Sequence, residues 1–537
     1  MADSTAVDAA ATTSAEAAQY RAAGWWSDAT LSDRVTGHAA ATPDRPAYVD
    51  FRTAAPDAVL TWAEFDDAAT NLAAQLRDQG VHTGDRVAVW HGDTAAIHVL
   101  LVAVERCGAV AVGLGARAGV REVAHIVGLT RPALLVSDAA RHAQATTVVA
   151  GTALRAVLLD EPGDLRIDTA PRPGAARALS QLGPDDPFLI NSTSGTTGLP
   201  KCVVHTQNRW HYFHQKAVAN GELTPDDIFL PVIPTPFGFG IWTSHTTPIQ
   251  LGSTTVLIER FDAAASCAAI ERHRATVLCC VSTQLMMILA NDASRRHDLS
   301  SLRVVFTGGE PLPYTQAAQF EDLTGVTILQ FYGSNETGML SATTTQDSRH
   351  HRLRTAGRII PEMQVRLFDG DRDVTDSGRG QPACRGPALS LGYLGGTDHD
   401  KLYTADGWMR MGDICEVDSQ GYLRLTGRTS DFIIRGGKNI SAVEVEEVVA
   451  THPAVAVVAA VAMPDPLFGE RVCVFAELKD GATLDLPTLV EHLLAQGLSK
   501  ELLPERLEIL DELPRSSGGK IAKGQLRDII RSTLEKS

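Results

Sequence analysis

Between Leu60 and Asp138 two hydrophobic periods take turns, and this alternation limits the possible fold more than any other feature of the chain. LTWAEFDDAATNLAAQLRDQG spaces its apolar residues along one face of a helix and stops at a glycine. DRVAVW (85–90) then reads as a strand, 95–108 as a helix and AVAVGLG (109–115) as a strand. A further helix runs to Thr130, before the strand PALLVSD. Such repetition calls for parallel sheet with helices packed outside. The pattern resumes in FLPVIP (229–234), STTVLIE (253–259), ATVLCCV (275–281), LRVVFTGG (302–309) and VTILQFYGS (326–334). Several of these strands run into turns rich in glycine or hydroxyls. In open α/β sheets, ligands sit beyond the carboxyl ends of strands.

After about residue 355 the texture changes to short strands separated by turn residues, as in MQVRLFDGDRDV and GYLRLTGR, which implies a β-rich subdomain. From about 430 a small α/β pattern follows: DFIIRGG, a helix over 442–451, VAVVAAVAMP, RVCVFAEL, a helix over 486–495 and a last helix from Ala522. With 537 residues the chain is too long for one core. The expected division is a disordered tail over 1–24, a large N-terminal domain over 25–427, a hinge at 428–432 and a small α+β domain over 433–537. The large domain is expected to be α/β, with parallel and mixed sheets, flanking helices and the β-rich subdomain. A net charge of −16 argues against broad nucleic-acid or anionic-membrane binding. No apolar run approaches the roughly 20 residues of a membrane span, and the Ala-, Ser- and Thr-rich start has no secretory apolar core. Eight scattered cysteines lack metal spacing, and Cys279 and Cys280 sit inside an apolar run, so a reduced cytoplasm fits.

STSGTTGLPKC (192–202) cannot settle as helix or strand. Its hydroxyls compete with the backbone, its glycines favour turns and Pro200 lacks an N–H. The segment reads either as a surface hairpin loop or as an anion cradle of backbone N–H groups, hydroxyls and Lys201. It is not the P-loop spacing. FYGSNETG (331–338) places Glu336 beyond a strand's carboxyl end, where a carboxylate among small polar residues suits Mg²⁺. MGD (411–413) places Asp413 after a turn, and GRTSD (427–431) places Arg428 at the domain joint. RSSGGK (515–520) sets Lys520 on a glycine-rich loop. GLGARAG (113–119) has one residue too many for a dinucleotide fingerprint and reads as a strand–turn–helix joint. RHHR (349–352) reads as a solvated loop. H-E-x-x-H and G-x-S-x-G are absent.

STSGTTGLPK, YGSNETG, MGD with GRTSD and RGGKNI, and PRSSGGKIAK, in this order, resemble the signatures of the adenylate-forming superfamily. That group includes acyl- and aryl-CoA ligases, luciferases and peptide-synthetase adenylation domains. The likeness runs from about residue 30 to the end and is strongest to acyl- and aryl-CoA ligases. It implies attack of a carboxylate on the α-phosphate of ATP, giving acyl-AMP and pyrophosphate, then transfer of the acyl group to a thiol, usually that of CoA. By this resemblance Ser192, Thr193, Ser194, Gly195, Thr196, Thr197, Gly198 and Lys201 hold the β- and γ-phosphates, with Thr196 among the catalytic groups. Glu336 holds Mg²⁺, Asp413 grips the ribose beside Arg428, and Lys520 stabilises charge during adenylation. Gly308, Gly309, Glu310 and Pro311 lie along adenine, with Tyr332, Gly333 and Asn335 beside the nucleotide. Phe237 is the aromatic gate of the acid pocket, whose further candidates are Phe239, Trp242, Met286 and Phe331. The small domain is expected to turn between steps, exchanging Lys520 for RGGKN (435–439), which includes Gly437.

Two positions depart from the pattern. Asn335 replaces the usual threonine, and Ser430 stands where a hinge aspartate or lysine is usual. The leading expectation is an acid–CoA ligase for a hydrophobic or aromatic acid. The alternative is an adenylate-forming enzyme without CoA, loading a carrier protein or activating nitrite to diazotise an aryl amine. The implied partners are the acid, ATP and CoA, with a homodimer as an option and no nucleic acid or membrane span.

Overall fold

The computed structural model describes residues 12–160, 165–167, 181–193, 200–395, 402–428, 432–435, 438–516 and 520–536. Two sheets carry the large domain. The first has seven strands in the spatial order Arg166–Ile167, Arg155–Asp160, Leu134–Ser137, Arg86–Trp90, Val110–Leu114, Pro187–Ser192 and Cys202–Thr206. Its five inner strands are parallel. The second has nine: Arg358–Ile359, Gly338–Ala342, Thr327–Ser334, Val304–Gly308, Val277–Cys279, Ile228–Pro231, Thr254–Leu257, Pro46–Asp50 and Ala58–Thr61. Six of these run parallel, from Thr327–Ser334 through to Pro46–Asp50. Strands covered on both faces read as unbroken apolar runs, and every residue of Val110–Leu114 is buried.

The helix Ala95–Arg106 touches strands of both sheets and is buried at all its positions. It has no solvent face, which explains why its sequence is almost wholly apolar. Helix Trp62–Asp78 shows the opposite case, with one buried stripe (Trp62, Phe65, Ala69, Leu72, Leu76) and a capping box in which Thr61 accepts from Glu64 N.

The β-rich subdomain is an antiparallel sheet built from Gln364–Asp369, Arg372–Asp373, Arg379–Arg385, Met409–Arg410, Asp413–Val417 and Leu423–Arg428. The small domain has a five-stranded sheet covered on both faces. Successive residues of Gly469–Leu478 point to opposite faces. Val472 and Val474 join Val445, Leu489 and Leu493, while Cys473 and Phe475 join Leu526 and Ile530. Among the described residues no helix is long and apolar enough to cross a membrane.

Two expectations change. Residues 12–24 are not a disordered tail: Ser14–Ala22 is a helix with a capping box between Thr13 and Glu16. Arg21 pairs with Asp28 and Asp185, and Gln215 donates to the main-chain oxygen of Gly24. Residues 1–11 lie outside the described residues. RHHR is not a solvated loop either. Arg349–Arg354 is a short helix capped by Ser348, and Arg352 is inserted beneath it, bonded to Glu321 and to the main-chain oxygen of Ile328. Charged letters hid a buried ion pair.

Candidate active site

The parallel strands Val304–Gly308 and Thr327–Ser334 lie side by side, with Gly308 opposite Phe331, and their carboxyl ends open on one cleft. This cleft, of about 1230 Å³, is lined by Gly309, Glu310, Pro311, Phe331, Tyr332, Gly333 and Asp413 of the large domain and by Lys520 of the small one. The Glu310 carboxylate is committed to the start of helix Ser282–Ala290. It accepts from Thr283 Oγ1 at 2.8 Å, Thr283 N at 3.1 Å and Ser282 Oγ at 3.1 Å. A carboxylate at a helix N-terminus is favoured by the unpaired N–H groups there, so this contact fixes the 309–311 turn. Asp413 opens its strand, is largely buried and accepts from the Tyr332 hydroxyl at 2.8 Å. Arg428 lies directly opposite it in the ladder; the Arg428 side chain is outside the described set.

On the phosphate side, the antiparallel strands ending at Ser192 and starting at Cys202 carry the hydroxyl-rich loop between them. Its neck is closed by two bonds: Thr193 N donates to Lys201 O at 2.9 Å and Lys201 N to Thr193 Oγ1 at 3.2 Å. Ser194, Gly195, Thr196, Thr197 and Gly198 lie outside the described residues. The Lys201 ammonium stands 4.6 Å from the centre of the Tyr393 ring, and the Tyr393 hydroxyl donates to Glu336 Oε1 at 2.7 Å. Lysine, ring and carboxylate thus form one row. The buried Ser192 Oγ has no hydrogen-bond partner among the described residues. An orphan hydroxyl at the loop neck, an ammonium and a carboxylate fit a triphosphate carrying Mg²⁺. Among the described residues no three His, Cys, Asp or Glu come together to hold a metal, so Mg²⁺ here would take its other ligands from phosphate and water.

Sequence reasoning missed the network beneath this row. Arg209, fully buried, donates through Nε to Ala388 O and through Nη1 to Asn335 O, each at 2.9 Å, and contacts His205 Nδ1. His205 Nε2 meets Asn191 Oδ1 at 2.7 Å, which also accepts from Asn335 Nδ2 at 2.6 Å. Asn191 Nδ2 donates to Pro236 O at 3.0 Å. Burial lowers the Arg209 pKa to about 9, against the pull of Glu336, so the guanidinium is charged at neutral pH. The available signal was the polar residues Asn191, His205 and Arg209 at positions the flanking strands would bury.

Lys520 reaches the cleft from the small domain. A Cβ built on Gly309 would stand 2.9 Å from Lys520 Nζ, which marks how closely the ammonium approaches this turn, and the φ of +79° there favours glycine. The domains also touch where Ser441 Oγ donates to Thr426 O at 2.7 Å and Gln316 Nε2 to Ala450 O at 2.5 Å. Ser430 and Gly437 lie outside the described residues. Of the expected acid-pocket residues, Met286 and Phe331 line the cleft, whereas Trp242 is buried in the aromatic core and Phe239 packs against it. Phe237 caps the short helix Gly238–Ile241, which runs into a π-helical turn at Trp242–Thr246.

Known proteins resemble this chain in sequence and in fold. The family model described as AMP-binding enzyme matches residues 35–394, and that of the AMP-binding enzyme C-terminal domain matches 444–520. The chain is 30% identical to the medium-chain fatty-acid–CoA ligase of Escherichia coli (strain K12), covering 96% of this chain and 93% of that protein. It is also 30% identical to enterobactin synthase component E of the same organism, over 96% and 97% of the two chains. ATP-bound MatB from Rhodopseudomonas palustris superposes with a TM-score of 0.81 at 25% identity, over 94% of this chain and 100% of that one. The chain therefore belongs to the AMP-binding enzyme family and is an ATP-dependent, AMP-forming ligase.

Proposed function

We propose that the chain is an acid–CoA ligase acting on a carboxylate with an apolar or aromatic body. A carboxylate oxygen attacks the α-phosphorus of ATP, and pyrophosphate leaves with the electron pair of the broken P–O bond. The CoA sulfur then attacks the acyl carbon, and AMP leaves. Lys520 meets the charge growing on the α-phosphate, Glu336 holds Mg²⁺, and Asp413, held by Tyr332, takes the ribose hydroxyls. The observation that carries the reading is the approach of Lys520 Nζ to Gly309, which puts a cation from the small domain at the mouth of the nucleotide cleft. The apolar walls Met286 and Phe331 support an acid without a second charge. The eight buried, unpaired cysteines support a cytoplasmic setting.

The test is acid-dependent ATP–pyrophosphate exchange, followed by AMP release with and without CoA. Exchange together with CoA-dependent AMP release is expected. Exchange with no thioester from any acid would turn the reading to its alternative, an adenylate passed to a carrier protein or a nitrite adenylate used for diazotisation. The equal likeness to enterobactin synthase component E keeps that alternative in view. No exchange at all would defeat both.

A further inference from the structure

Segment 387–393 holds Glu336 at two points. Ser390 N donates to the main-chain oxygen of Glu336 at 2.8 Å, and the Tyr393 hydroxyl donates to its Oε1 at 2.7 Å. The segment is itself fixed along its length. Arg209 Nε donates to Ala388 O at 2.9 Å. Leu391 N donates to Val204 O at 2.9 Å, and Val204 N to Gly392 O at 3.0 Å. A Cβ on Gly338, where φ is +73°, would stand 2.5 Å from Ala388 O, so the segment lies directly on the strand that follows the Glu336 turn.

One further bond to this segment comes from near the start of the chain. Trp26 Nε1 donates to Pro387 O at 3.2 Å. The stretch 21–31 that carries Trp26 lies along the first turn of helix Gln207–Gly221, whose third residue is Arg209. Ser27 N donates to Asn208 Oδ1 at 2.7 Å and Leu31 N to Gln207 Oε1 at 2.6 Å. Asn208 Nδ2 donates to Asp185 Oδ1 at 2.6 Å, and Arg21 pairs with the other oxygen of Asp185. The ring of Tyr20 meets that of Trp26 edge-on at 5.2 Å. Burial of helix Ser14–Ala22 does not hold this arm, since none of its residues is buried. Directed bonds hold it, and they fall beside both partners of one contact: on Asn208 next to Arg209, and on Pro387 next to Ala388. The arm also precedes residue 35, where the match to the family model begins.

We propose that the N-terminal arm braces the metal carboxylate, with Trp26 as a positioning residue. By fixing Pro387 it sets the path of 387–393 and, through Ser390 and Tyr393, the place of Glu336. This rests on the reading of Glu336 as the Mg²⁺ carboxylate. Groups that orient a metal ligand from behind govern metal affinity without touching the metal.

Mn²⁺ binding to the ATP complex, followed by water-proton relaxation, should be measured in the full chain. The proteins are the parent, Trp26→Phe, Trp26→Ala, Arg209→Met, Glu336→Gln and the double variant Trp26→Ala/Arg209→Met. Trp26→Phe keeps a ring and removes the donor, so it tests the bond even where the alanine variant fails to fold. The Mn²⁺ dissociation constant should rise about 3- to 10-fold in Trp26→Ala and by less in Trp26→Phe, below the loss for a direct partner of the ligand. The Mg²⁺ needed for half-maximal pyrophosphate exchange should rise with it, while kcat at saturating Mg²⁺ stays near the parent's. Because Trp26 and Arg209 hold one segment, the double variant should lose less than the product of the single losses. A folded Trp26→Ala, or failing that Trp26→Phe, with the parent's Mn²⁺ affinity beside a weakened Glu336→Gln would overturn the brace alone. So would single losses that multiply in full in the double variant. Parent-like affinity in Glu336→Gln would remove the metal reading, and with it anything for the arm to brace.

Discussion

Arg209 and Asn335 are joined across the fold: the buried guanidinium donates through Nη1 to the main-chain oxygen of Asn335 at 2.9 Å, one residue before Glu336. The same guanidinium holds Ala388 O and contacts His205, so one cation ties the Glu336 turn to the strand beside the phosphate loop. Arg209→Met is expected to lower kcat/KM for adenylation and raise the Mg²⁺ needed for half-saturation, each by about 10- to 100-fold, the scale for losing a partner that orients a metal ligand. Arg209→Lys should recover little, because a lysine cannot reproduce the planar fork. Pyrophosphate exchange titrated with Mg²⁺ decides. A methionine variant with the parent's Mg²⁺ curve would deny Arg209 this positioning role.

Lys520→Ala should slow adenylation by roughly 10²- to 10³-fold, the loss expected for one electrostatic donor to a developing charge. Transfer from a supplied acyl-adenylate should survive, since that step needs no charge on the α-phosphate neutralised by Lys520. The two half-reactions, assayed separately, check this. Equal loss of both would contradict it.

Glu336→Gln should shift the Mg²⁺ dependence upward, because Mg²⁺ is bound through few protein ligands and the loss of one is felt. Tyr393→Phe removes the hydroxyl that donates to Glu336 Oε1 at 2.7 Å but keeps the ring under Lys201. Its effect should have the same direction and be smaller. Mn²⁺ binding to the ATP complex, followed by water-proton relaxation, reports on this without turnover. A parent-like Mn²⁺ affinity in Glu336→Gln would take that residue out of the metal site.

Stability should fall on the acid side through a buried histidine pair. His98 Nδ1 lies 3.1 Å from His245 Nδ1, and the His98 ring stacks on Tyr48 at 4.3 Å. Burial holds His98 well below its usual pKa and brings His245 down to about 3. The unfolded chain binds protons below about pH 6.5 where the folded chain does not. This contribution is therefore complete above that pH and drains as the pH falls toward 3, by up to about 1.4 kcal/mol per pH unit for each ring. Urea unfolding at pH 7.5 and pH 5 should show the loss, and His245→Gln should reduce it. An equal drop in that variant would exonerate His245.

The periodic parts of the chain were readable because burial acts on them one face at a time. Trp62–Asp78 announced itself by its stripe and its glycine stop, and Leu486–Ala495 falls on its expected bounds. The motif residues Asp413, Glu310 and Lys520 were readable as a set only through their order along the chain, and folding brings all three to one cleft. Contacts between distant positions carried no local signal. Asn191 and Asn335 are 144 residues apart, and nothing near either one marks the other as its partner. The π-helical turn at Trp242–Thr246 also escaped, because its one-residue offset leaves no periodic trace in a segment buried at every position, polar residues included. Ser14–Ala22 was hidden by composition: it buries no residue, and its order comes from its cap and from ion pairs to residues far along the chain.

All eight thiols lie inside the protein, with burial raising Cys107 to about 11 and Cys202 and Cys473 to about 12. Since only the thiolate reacts with alkylating dyes, the native chain is already silent toward them. Leu467, on the outer turn of the small domain, is 77% exposed. A cysteine placed there, with a second on the outer face of the large domain, would take up a fluorophore pair with no native cysteine removed. Whether one domain turns against the other could then be read by energy transfer in an otherwise unaltered molecule.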